Sequence, residues 1–195
     1  MKKLILQMQM SVDGFVGAEE DKDWQVWNWA DDNRWDEALK RDFNSHFQSI
    51  DTILLSSKMA EEGYLTHWGN AARRYPQDPF YAFAQRIVEV RKVVPSDRLD
   101  TSRWERTEVR SGDLARELGL LKAEEGSNIG VFGGAGFASA LIAAGLVDEI
   151  QLYINPAALG RGTRIFSEAG FQNLKLLGAK AYDCGIVVSR YAPAR

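Results

Sequence analysis

The sequence predicts an α/β fold, an open sandwich in which helices flank a largely parallel sheet. Short apolar runs of strand length alternate with segments of helical periodicity along most of the chain, and this order is typical of parallel β-α-β units. The last two extended runs follow one another without a helix, which predicts an antiparallel edge. A chain of 195 residues with this organisation is expected to form a single domain, residues 1–195.

The first third of the chain supplies two predicted strands and two predicted helices. Residues 3–10 form an apolar run without glycine or proline, which predicts the first strand. An apolar residue recurs at every fourth position of residues 32–47, which predicts a helix with one apolar face. The members of this apolar stripe are Trp35, Leu39, Phe43 and Phe47. Residues 51–55 are predicted to form a short buried strand, and residues 57–68 a helix capped by serine.

The remaining elements follow from the same signals. Residues 69–79 are polar and contain two prolines, so they are expected to form a surface loop. After this loop the sequence predicts a short helix at 80–86, strands at 88–94 and 104–109, a helix at 113–124, a strand at 128–132, a helix at 134–144, a strand at 148–154 and two extended runs at 171–177 and 183–191.

Composition and charge exclude several classes of protein. Hydrophobic residues make up 45% of the chain and charged residues 26%, which is ordinary for a globular protein. Cys184 is the single cysteine and is expected to be a core thiol, and His46 and His67 lie on separate predicted helices, so no metal site is expected. A net charge of −3 indicates neither a nucleic-acid partner nor a membrane surface. Gln7 and Gln9 interrupt the first apolar run, so no secretory leader is predicted and a cytoplasmic protein is expected.

The negative charge is concentrated in one segment that is also rich in tryptophan. Residues 19–37 contain eight acidic and two basic residues, a net charge of −6, which leaves +3 for the rest of the chain. Four of the six tryptophans lie in the same segment. Trp24 and Trp27 are candidates for an aromatic lid over a flat ligand. The alternative is that these tryptophans pack on the adjacent helix, as is expected for Trp35.

A glycine-rich turn after residues 128–132 is the strongest functional signal. Gly133, Gly134 and Gly136 precede a helix of small residues, where glycine permits close approach of a ligand and the first helical N–H groups attract phosphate. No Gly-Lys-Ser/Thr follows, and Ser139 stands where the dinucleotide fingerprint has its third glycine. The alternative is a tight strand-to-helix turn that requires glycine for its own geometry, and both interpretations remain open.

Asp13 directly follows the first predicted strand, where a parallel sheet opens its ligand-binding crevice. A carboxyl group at that position can hydrogen-bond a ring nitrogen of a heterocycle and protonate it. Asp13-Gly14 is also a common turn dipeptide, and taken alone the dipeptide favours the turn. Residues 156–162 follow another predicted strand, either as a mobile loop that lines the same crevice or as a simple connection.

Several segments together match one known family over nearly the whole chain. They are Ser-Val-Asp-Gly-Phe at 11–15, Asp-Thr-Ile-Leu-Leu at 51–55, Val-Phe-Gly-Gly-Ala-Gly at 131–136, the run 145–156, Leu-Gly-Arg-Gly at 159–162 and Phe166. In this order they resemble the dihydrofolate-reductase-like family, in the branch of stand-alone relatives of the riboflavin-biosynthesis reductase domain. The resemblance implies a three-layer sandwich with a mixed sheet of about eight strands, and a homodimer.

The resemblance also implies an oxidoreductase that uses NADPH or NADH to reduce a small heterocycle or carbonyl compound, with the hydride supplied by the cofactor. In such a family the glycine turn would hold the pyrophosphate, and the start of the second helix and the turn at Ser96 would hold the adenosine half. The implied cofactor-binding residues are Ser56, Ser57, Lys58, Ser96, Gly133, Gly134, Ala135, Gly136 and Phe137. Asp13 falls where the family places an acid near the substrate ring, as the candidate catalytic residue.

Two departures from the family pattern affect the cofactor. Where the family commonly has Gly-Arg-Lys-Thr, residues 56–59 read Ser-Ser-Lys-Met, so the arginine that would grip a 2′-phosphate is absent. Asp97 adds a negative charge beside Ser96, partly offset by Arg98. Loss of an arginine fork removes about 1.5–3 kcal/mol of charge-assisted hydrogen bonding. Weak NADPH binding or a preference for NADH is therefore expected, and the alternative is a non-catalytic ligand-binding or dimeric interaction module.

The acidic segment adds an expectation about the substrate. Because a net charge of −6 follows Asp13 in the sequence, a phosphorylated substrate is disfavoured. The sequence therefore predicts a neutral or cationic substrate, and little activity on the phosphorylated compound of the riboflavin pathway.

Overall fold

A computed structural model describes residues 1–18, 34–99, 104–166 and 170–194. Eight strands form one mixed, mostly parallel sheet accompanied by helices, so the predicted fold class is confirmed. The chain divides into two compact units, the first made of Met1–Leu4 and Lys40–Gly134 and the second of Ile5–Leu39 and Ala135–Arg195. The single domain over residues 1–195 stays a prediction.

The helices and strands of the described residues have the following bounds. The strands are β1 (Leu4–Ser11), β2 (Ile50–Leu55), β3 (Arg91–Pro95), β4 (Thr107–Arg110), β5 (Asn128–Phe132), β6 (Glu149–Asn155), β7 (Leu174–Ala181) and β8 (Val187–Pro193). The α-helices are α1 (Glu37–Gln48), α2 (Ser57–Glu61), α3 (Tyr64–Arg74), α4 (Ala82–Glu89), α5 (Leu114–Ala123) and α6 (Ala135–Ala143), and Pro79–Tyr81 form a short 3₁₀ helix before α4. None of these helices, within the part of the chain that the structure describes, has the length and apolar character needed to cross a membrane.

The first unit contains four parallel strands in the order β4-β3-β2-β5. Leu55 at the end of β2 lies opposite Phe132 at the end of β5, and Pro95 lies opposite Arg110. The carboxyl ends of these strands therefore lie side by side. An aromatic cluster fills part of the core of this unit, and its buried members are Phe43, Phe47, Trp68 and Phe83.

A partly buried ion pair ties Lys2, next to the N-terminus, to Asp51 of the first unit. The Lys2 ammonium donates to Asp51 Oδ1 at 2.8 Å and to Thr52 Oγ1 at 3.2 Å, and only 4% of the Lys2 side chain is exposed. The backbone N–H of Ser127 donates to the second carboxylate oxygen of Asp51 at 2.5 Å. Gly126 has a φ of 133°, and a side chain there would collide with Asp51 and Lys2, so this position requires glycine.

The second unit contains strands in the order β1-β6-β8-β7. β1 and β6 are parallel, whereas β8 and β7 are added antiparallel, which confirms the predicted antiparallel edge. β7 ends the sheet, and six of its eight residues are exposed, among them Lys175 and Lys180. In α6 the buried side chains include Ala138, Leu141 and Ile142.

Two helix predictions were wrong in their extent. The predicted helix at 57–68 is two helices, α2 and α3, because the chain turns at Gly63, which has a φ of 82°. α3 then continues to Arg74, through most of the predicted loop, and buries Leu65 and Trp68. The first helix begins at Glu37 rather than at residue 32, because the Asp36 carboxylate accepts from the N–H of Leu39 at 2.8 Å and caps it there.

Two strand predictions were also misplaced. Val88 and Glu89 end α4 instead of opening β3, since the helical burial pattern of this segment outweighs the strand preference of its valines. Trp104 lies outside β4, and its indole N–H donates to the carbonyl oxygen of Ala60 at 2.9 Å. The last two strands begin three and four residues later than predicted. Cys184 accordingly lies half-buried in the turn between β7 and β8, so the prediction that its thiol lies in the core was wrong.

Candidate functional site

The first unit gathers part of the implied cofactor site at the carboxyl edge of its parallel strands. Ser56 follows β2, Ser96 follows β3 and Gly133 follows β5. The N–H of Ser56 donates to the carbonyl of Phe132 at 2.9 Å, and the N–H of Ser96 donates to the carbonyl of Arg110 at 3.0 Å. Each turn is thus joined to a neighbouring strand end. Ligands of parallel α/β sheets bind outside this edge, so the geometry permits these residues to contact one ligand.

The start of α2 combines a capping serine with an exposed lysine. Ser56 is buried, and its Oγ accepts from the N–H of Met59 at 3.3 Å as the N-cap. This bond leaves the hydroxyl hydrogen of Ser56 available to an anion. Ser57 is half-buried, whereas 80% of the Lys58 side chain is exposed, 3.6 Å from the carboxylate of Glu62.

The turn after β3 contains a contact that the sequence did not reveal. Ser96 Oγ accepts from the N–H groups of Arg98 at 3.2 Å and Leu99 at 3.1 Å. Asp97 Oδ1 accepts from the N–H of Gly112 at 2.9 Å and so connects this turn to the one after β4. The sequence signal for this contact is Gly112, a glycine that follows a predicted strand. A glycine alone does not indicate that Asp97 accepts its hydrogen bond.

The glycine turn is open rather than crowded. Among the described residues, no atom lies within 4 Å of a methyl group placed on Gly134 or on Gly136, and neither residue has a positive φ. The alternative, that the turn needs glycine for its own geometry, therefore has no support at these two positions. α6 begins at Ala135, with Phe137 half-buried in its first turn. An open backbone beside a helix N-terminus fits a phosphate group.

Asp13 in the second unit is part of a hydrogen-bonded turn. The N–H of Gly14 donates to the carbonyl of Ser11 at 3.0 Å, so the Asp-Gly turn predicted from the sequence is present. The Asp13 carboxylate accepts from Ser11 Oγ at 2.6 Å, from the N–H of Leu159 at 3.1 Å and from the N–H of Gly160 at 2.7 Å. These donors hold the carboxylate against the loop that follows β6.

The same contacts determine the protonation state of Asp13. Hydrogen bonds from the hydroxyl of Ser11 and from the backbone N–H of Gly160 lower the pKa of Asp13 from 3.8 to about 2. The carboxylate is therefore ionised at neutral pH and is a poor proton donor there. Of the two roles that the sequence allowed, orienting a substrate fits this pKa and protonating it does not. Contact of Asp13 with a substrate stays a prediction.

The loop after β6 is bound to the Asp13 turn along its length. The N–H of Val12 donates to the carbonyl of Ala157 at 2.8 Å, and the N–H of Val16 donates to the carbonyl of Thr163 at 2.8 Å. The N–H of Thr163 donates in return to the carbonyl of Gly17 at 3.0 Å. These bonds favour the fixed connection over the mobile loop.

The proposed aromatic lid lies outside the described residues, which include neither Trp24 nor Trp27. Trp35 is described, and its ring stacks on Tyr153 of β6 with centroids 5.8 Å apart and planes 7° from parallel. Trp35 precedes α1, which begins at Glu37. Its expected packing on the adjacent helix stays a prediction.

The comparison with known families decides the assignment. The model of the RibD C-terminal domain matches residues 2–188. This chain belongs to the RibD C-terminal domain family. The predicted resemblance to the riboflavin-biosynthesis branch of the dihydrofolate-reductase-like proteins is confirmed.

Solved structures similar to this RibD C-terminal domain include reductases. A putative riboflavin biosynthesis protein from Shewanella sp. PV-4 has a TM-score of 0.67 at 15% identity, over 99% of each chain. The riboflavin biosynthesis reductase Rib7 of Saccharomyces cerevisiae has a TM-score of 0.61 at 15% identity, over 100% of this chain and 89% of that one. A dihydrofolate reductase from Enterococcus faecalis, in complex with NADP(H) and RAB-propyl, has a TM-score of 0.55 at 12% identity, over 99% and 97%. At these identities the likeness shows the fold alone.

Replacing Asp13 with alanine is expected to loosen the loop of this RibD C-terminal domain, because the N–H groups of Leu159 and Gly160 lose their acceptor. Their protection from amide hydrogen exchange should fall about tenfold or more. The pKa of Asp13 in the folded state is depressed, so its stabilisation of the loop is fully present above the unfolded pKa of 3.8. This stabilisation is lost as the pH falls through about 2. Protection in the wild type should therefore be constant from pH 5 to 8, and unchanged protection in the variant would contradict the prediction.

Proposed function

We propose that this protein is an NAD(P)H-dependent reductase of a small heterocyclic or carbonyl substrate, in the group of the 5-amino-6-(5-phosphoribosylamino)uracil and dihydrofolate reductases. The open glycine turn at Gly134 and Gly136 carries the proposal, because neither packing nor backbone conformation accounts for glycine there. Membership of the RibD C-terminal domain family supports it. So does the NADP(H) bound to the dihydrofolate reductase of similar fold.

The chain's own residues suggest how the cofactor would be held. Backbone N–H groups from Gly134 to Phe137 would bind the pyrophosphate, since the first turn of a helix carries unpaired donors and partial positive charge. The start of α2 at Ser56 and the turn at Ser96 would contact the adenosine half. Lys58, which is largely exposed, would swing towards a phosphate. When bound, the nicotinamide supplies the hydride.

Asp13 is proposed to orient the substrate as an ionised acceptor. A carboxylate with a pKa of about 2 can accept a hydrogen bond from an N–H of the substrate, but it carries no proton to donate at neutral pH. The proton that accompanies the hydride would therefore come from another donor. Trp24 and Trp27 remain the proposed lid.

A second candidate function is non-catalytic ligand binding. The observation that favours it is on the adenosine side, where serine stands at position 57 in place of the family's arginine. Asp97 adds an exposed negative charge there. A protein that had lost tight cofactor binding would show these features.

Replacing Gly134 with alanine tests the cofactor site. The new methyl group meets no atom in the part of the chain that the structure describes, so the fold should be retained, but it would occupy the space through which the pyrophosphate approaches the backbone. We expect the affinity for NADPH and NADH to fall at least about tenfold, measured by calorimetry and by nicotinamide fluorescence. The matched control is Gly119→Ala in α5, where the space is equally open. Alanine should leave cofactor affinity unchanged there and raise helix stability by up to about 1 kcal/mol.

The same titrations separate the two candidate functions. Wild-type protein that binds either cofactor, while Gly134→Ala does not, supports the reductase. Wild-type protein that binds neither cofactor supports the non-catalytic candidate. Equal binding by the wild type and by Gly134→Ala would contradict the proposed position of the pyrophosphate.

A further inference from the structure

Arg164, on the loop that follows β6 in the second unit, lies against the turn that contains Asp13. Its guanidinium carbon Cζ is 4.1 Å from the centroid of the Phe15 ring, and a methyl group placed on Gly14 would be 3.6 Å from its Nη1. The Phe15 side chain is only 5% exposed, so its ring is a fixed platform. Arg164 itself is exposed and belongs to the same surface as Asp13.

The backbone on both sides of Arg164 is anchored. Thr163 accepts from the N–H of Val16 at 2.8 Å and donates to the carbonyl of Gly17 at 3.0 Å, which forms a short antiparallel bridge. Ile165, the next residue, is 0% exposed. The aromatic contact then restricts the side chain as well. Because the guanidinium is already held in place, its binding to a ligand would cost little further conformational entropy.

The charge of Arg164 is not balanced by a counter-ion within the described ranges, where no group accepts a hydrogen bond from its guanidinium and no carboxylate pairs with it. The Asp13 carboxylate accepts instead from the Ser11 hydroxyl and from two backbone N–H groups. Arg190 of the same unit, by contrast, donates to Glu149 at 2.9 Å. A guanidinium above an aromatic ring makes no conventional hydrogen bond there, so its planar fork of N–H donors remains available to an oxyanion.

We propose that Arg164 binds a carboxylate group of the substrate, beside the group that Asp13 orients. The guanidinium fork matches the two oxygens of a carboxylate with two parallel N–H···O bonds. The place is suitable, because the turn after β1 lies at the carboxyl end of the parallel pair β1–β6, where α/β sheets bind their ligands. The inference rests on the proposed function, whose substrate class it narrows to a heterocycle or carbonyl compound that carries a carboxylate.

Charge favours a carboxylate over a phosphate at this position. A single guanidinium balances a single negative charge, and the neighbouring Asp13 side chain is itself ionised. A phosphate dianion would keep an unbalanced charge close to Asp13, and residues 19–37, which follow in the sequence, carry a net charge of −6. The inference replaces the neutral or cationic substrate expected from the sequence with a monoanion. It retains the prediction that a phosphorylated substrate is disfavoured.

Pyrrole-2-carboxylate and its methyl ester test the proposal, because both carry the ring N–H and only the first carries a charge. In titrations followed by NMR without added cofactor, the carboxylate should shift the Nε–H signal of Arg164 and bind at least about tenfold more tightly than the ester. Arg164→Met keeps an aliphatic side chain over Phe15 but removes the donors, so this preference should disappear. The matched control Arg116→Met removes an exposed arginine from α5 and should leave the preference unchanged.

The outcomes separate this site from the proposed function. Equal affinity of the wild type for the two probes, or an unchanged preference in folded Arg164→Met, would overturn the inference. If Arg164→Met does not fold by circular dichroism, the wild-type preference and its reduction in Arg164→Lys, which keeps the charge without the fork, decide. Tighter binding of phenyl phosphate, a dianion at neutral pH, would overturn the assignment to a carboxylate. A carboxylate preference in a protein that binds neither NADPH nor NADH would overturn the reductase but leave this site standing.

Discussion

Asp51→Ala is expected to lower the free energy of unfolding by about 3–5 kcal/mol, because it leaves the Lys2 ammonium buried without a counter-charge. The variant also removes the acceptor of the Ser127 N–H. Urea denaturation at pH 7 measures the effect as a shift of the midpoint at constant slope. The matched control is Asp183→Ala in the exposed turn between β7 and β8, where the change should stay within about 0.5 kcal/mol.

The Lys2–Asp51 pair also makes the stability of the protein depend on pH. Burial alone would raise the pKa of Asp51, but hydrogen bonds from Lys2 and from the N–H of Ser127 outweigh it and lower the pKa. A depressed folded-state pKa contributes stability above the unfolded value and loses it as the pH falls through the folded value. The difference in free energy of unfolding between wild type and Asp51→Ala should therefore become smaller below about pH 4. A gap below 1 kcal/mol at pH 7 would show that the pair is not a stabilising contact.

Lys92→Met is expected to raise the free energy of unfolding at pH 7 by about 2 kcal/mol. Lys92 is only 2% exposed, its Nζ donates to the carbonyl of Val88 at 2.6 Å, and burial lowers its pKa from 10.5 to about 8. Keeping the Lys92 amine protonated in this buried position costs the wild type about 3 kcal/mol of stability at neutral pH. The variant removes this cost but also loses the hydrogen bond to Val88, which offsets about 1 kcal/mol of the gain. Methionine keeps the aliphatic stem without the charge.

The advantage of Lys92→Met should disappear in alkali. Between about pH 8 and 10.5 the unfolded chain binds a proton that the folded chain has released, so the wild type gains stability as the pH rises. Urea midpoints at pH 7 and pH 11 measure this change. Lys58→Met, at a side chain that is 80% exposed, is the control and should show no such dependence. A variant that is less stable than wild type at pH 7 would contradict the argument.

The parts that the sequence predicted well depend on local patterns. The apolar runs placed β2 and β5 within a residue, and the glycine turn was found where β5 meets α6. Boundaries failed where tertiary contacts decide: α3 continues through a polar stretch because Leu65 and Trp68 are buried on it. Local composition does not carry that information.

The site was predictable only in part for the same reason. Asp13 was found from its position after a strand, but two of its three donors, Leu159 and Gly160, lie 146 and 147 residues further along the chain. No local pattern links them. Gln7 and Gln9 were visible in the sequence as interruptions of an apolar run. Their contacts with Gln151 and Asn155 could not be predicted, because these contacts depend on the register between β1 and β6.

The hydrogen bonds that join neighbouring strand ends in the first unit also bear on conformational entropy. Ser56 is held to Phe132, Ser96 to Arg110 and Asp97 to Gly112 before any ligand arrives. Fixing the backbone of one residue costs about 1–2 kcal/mol, and here folding has already met that cost. An anion at this edge would therefore meet a pre-organised surface, and the cost of ordering these turns would not reduce its measured affinity.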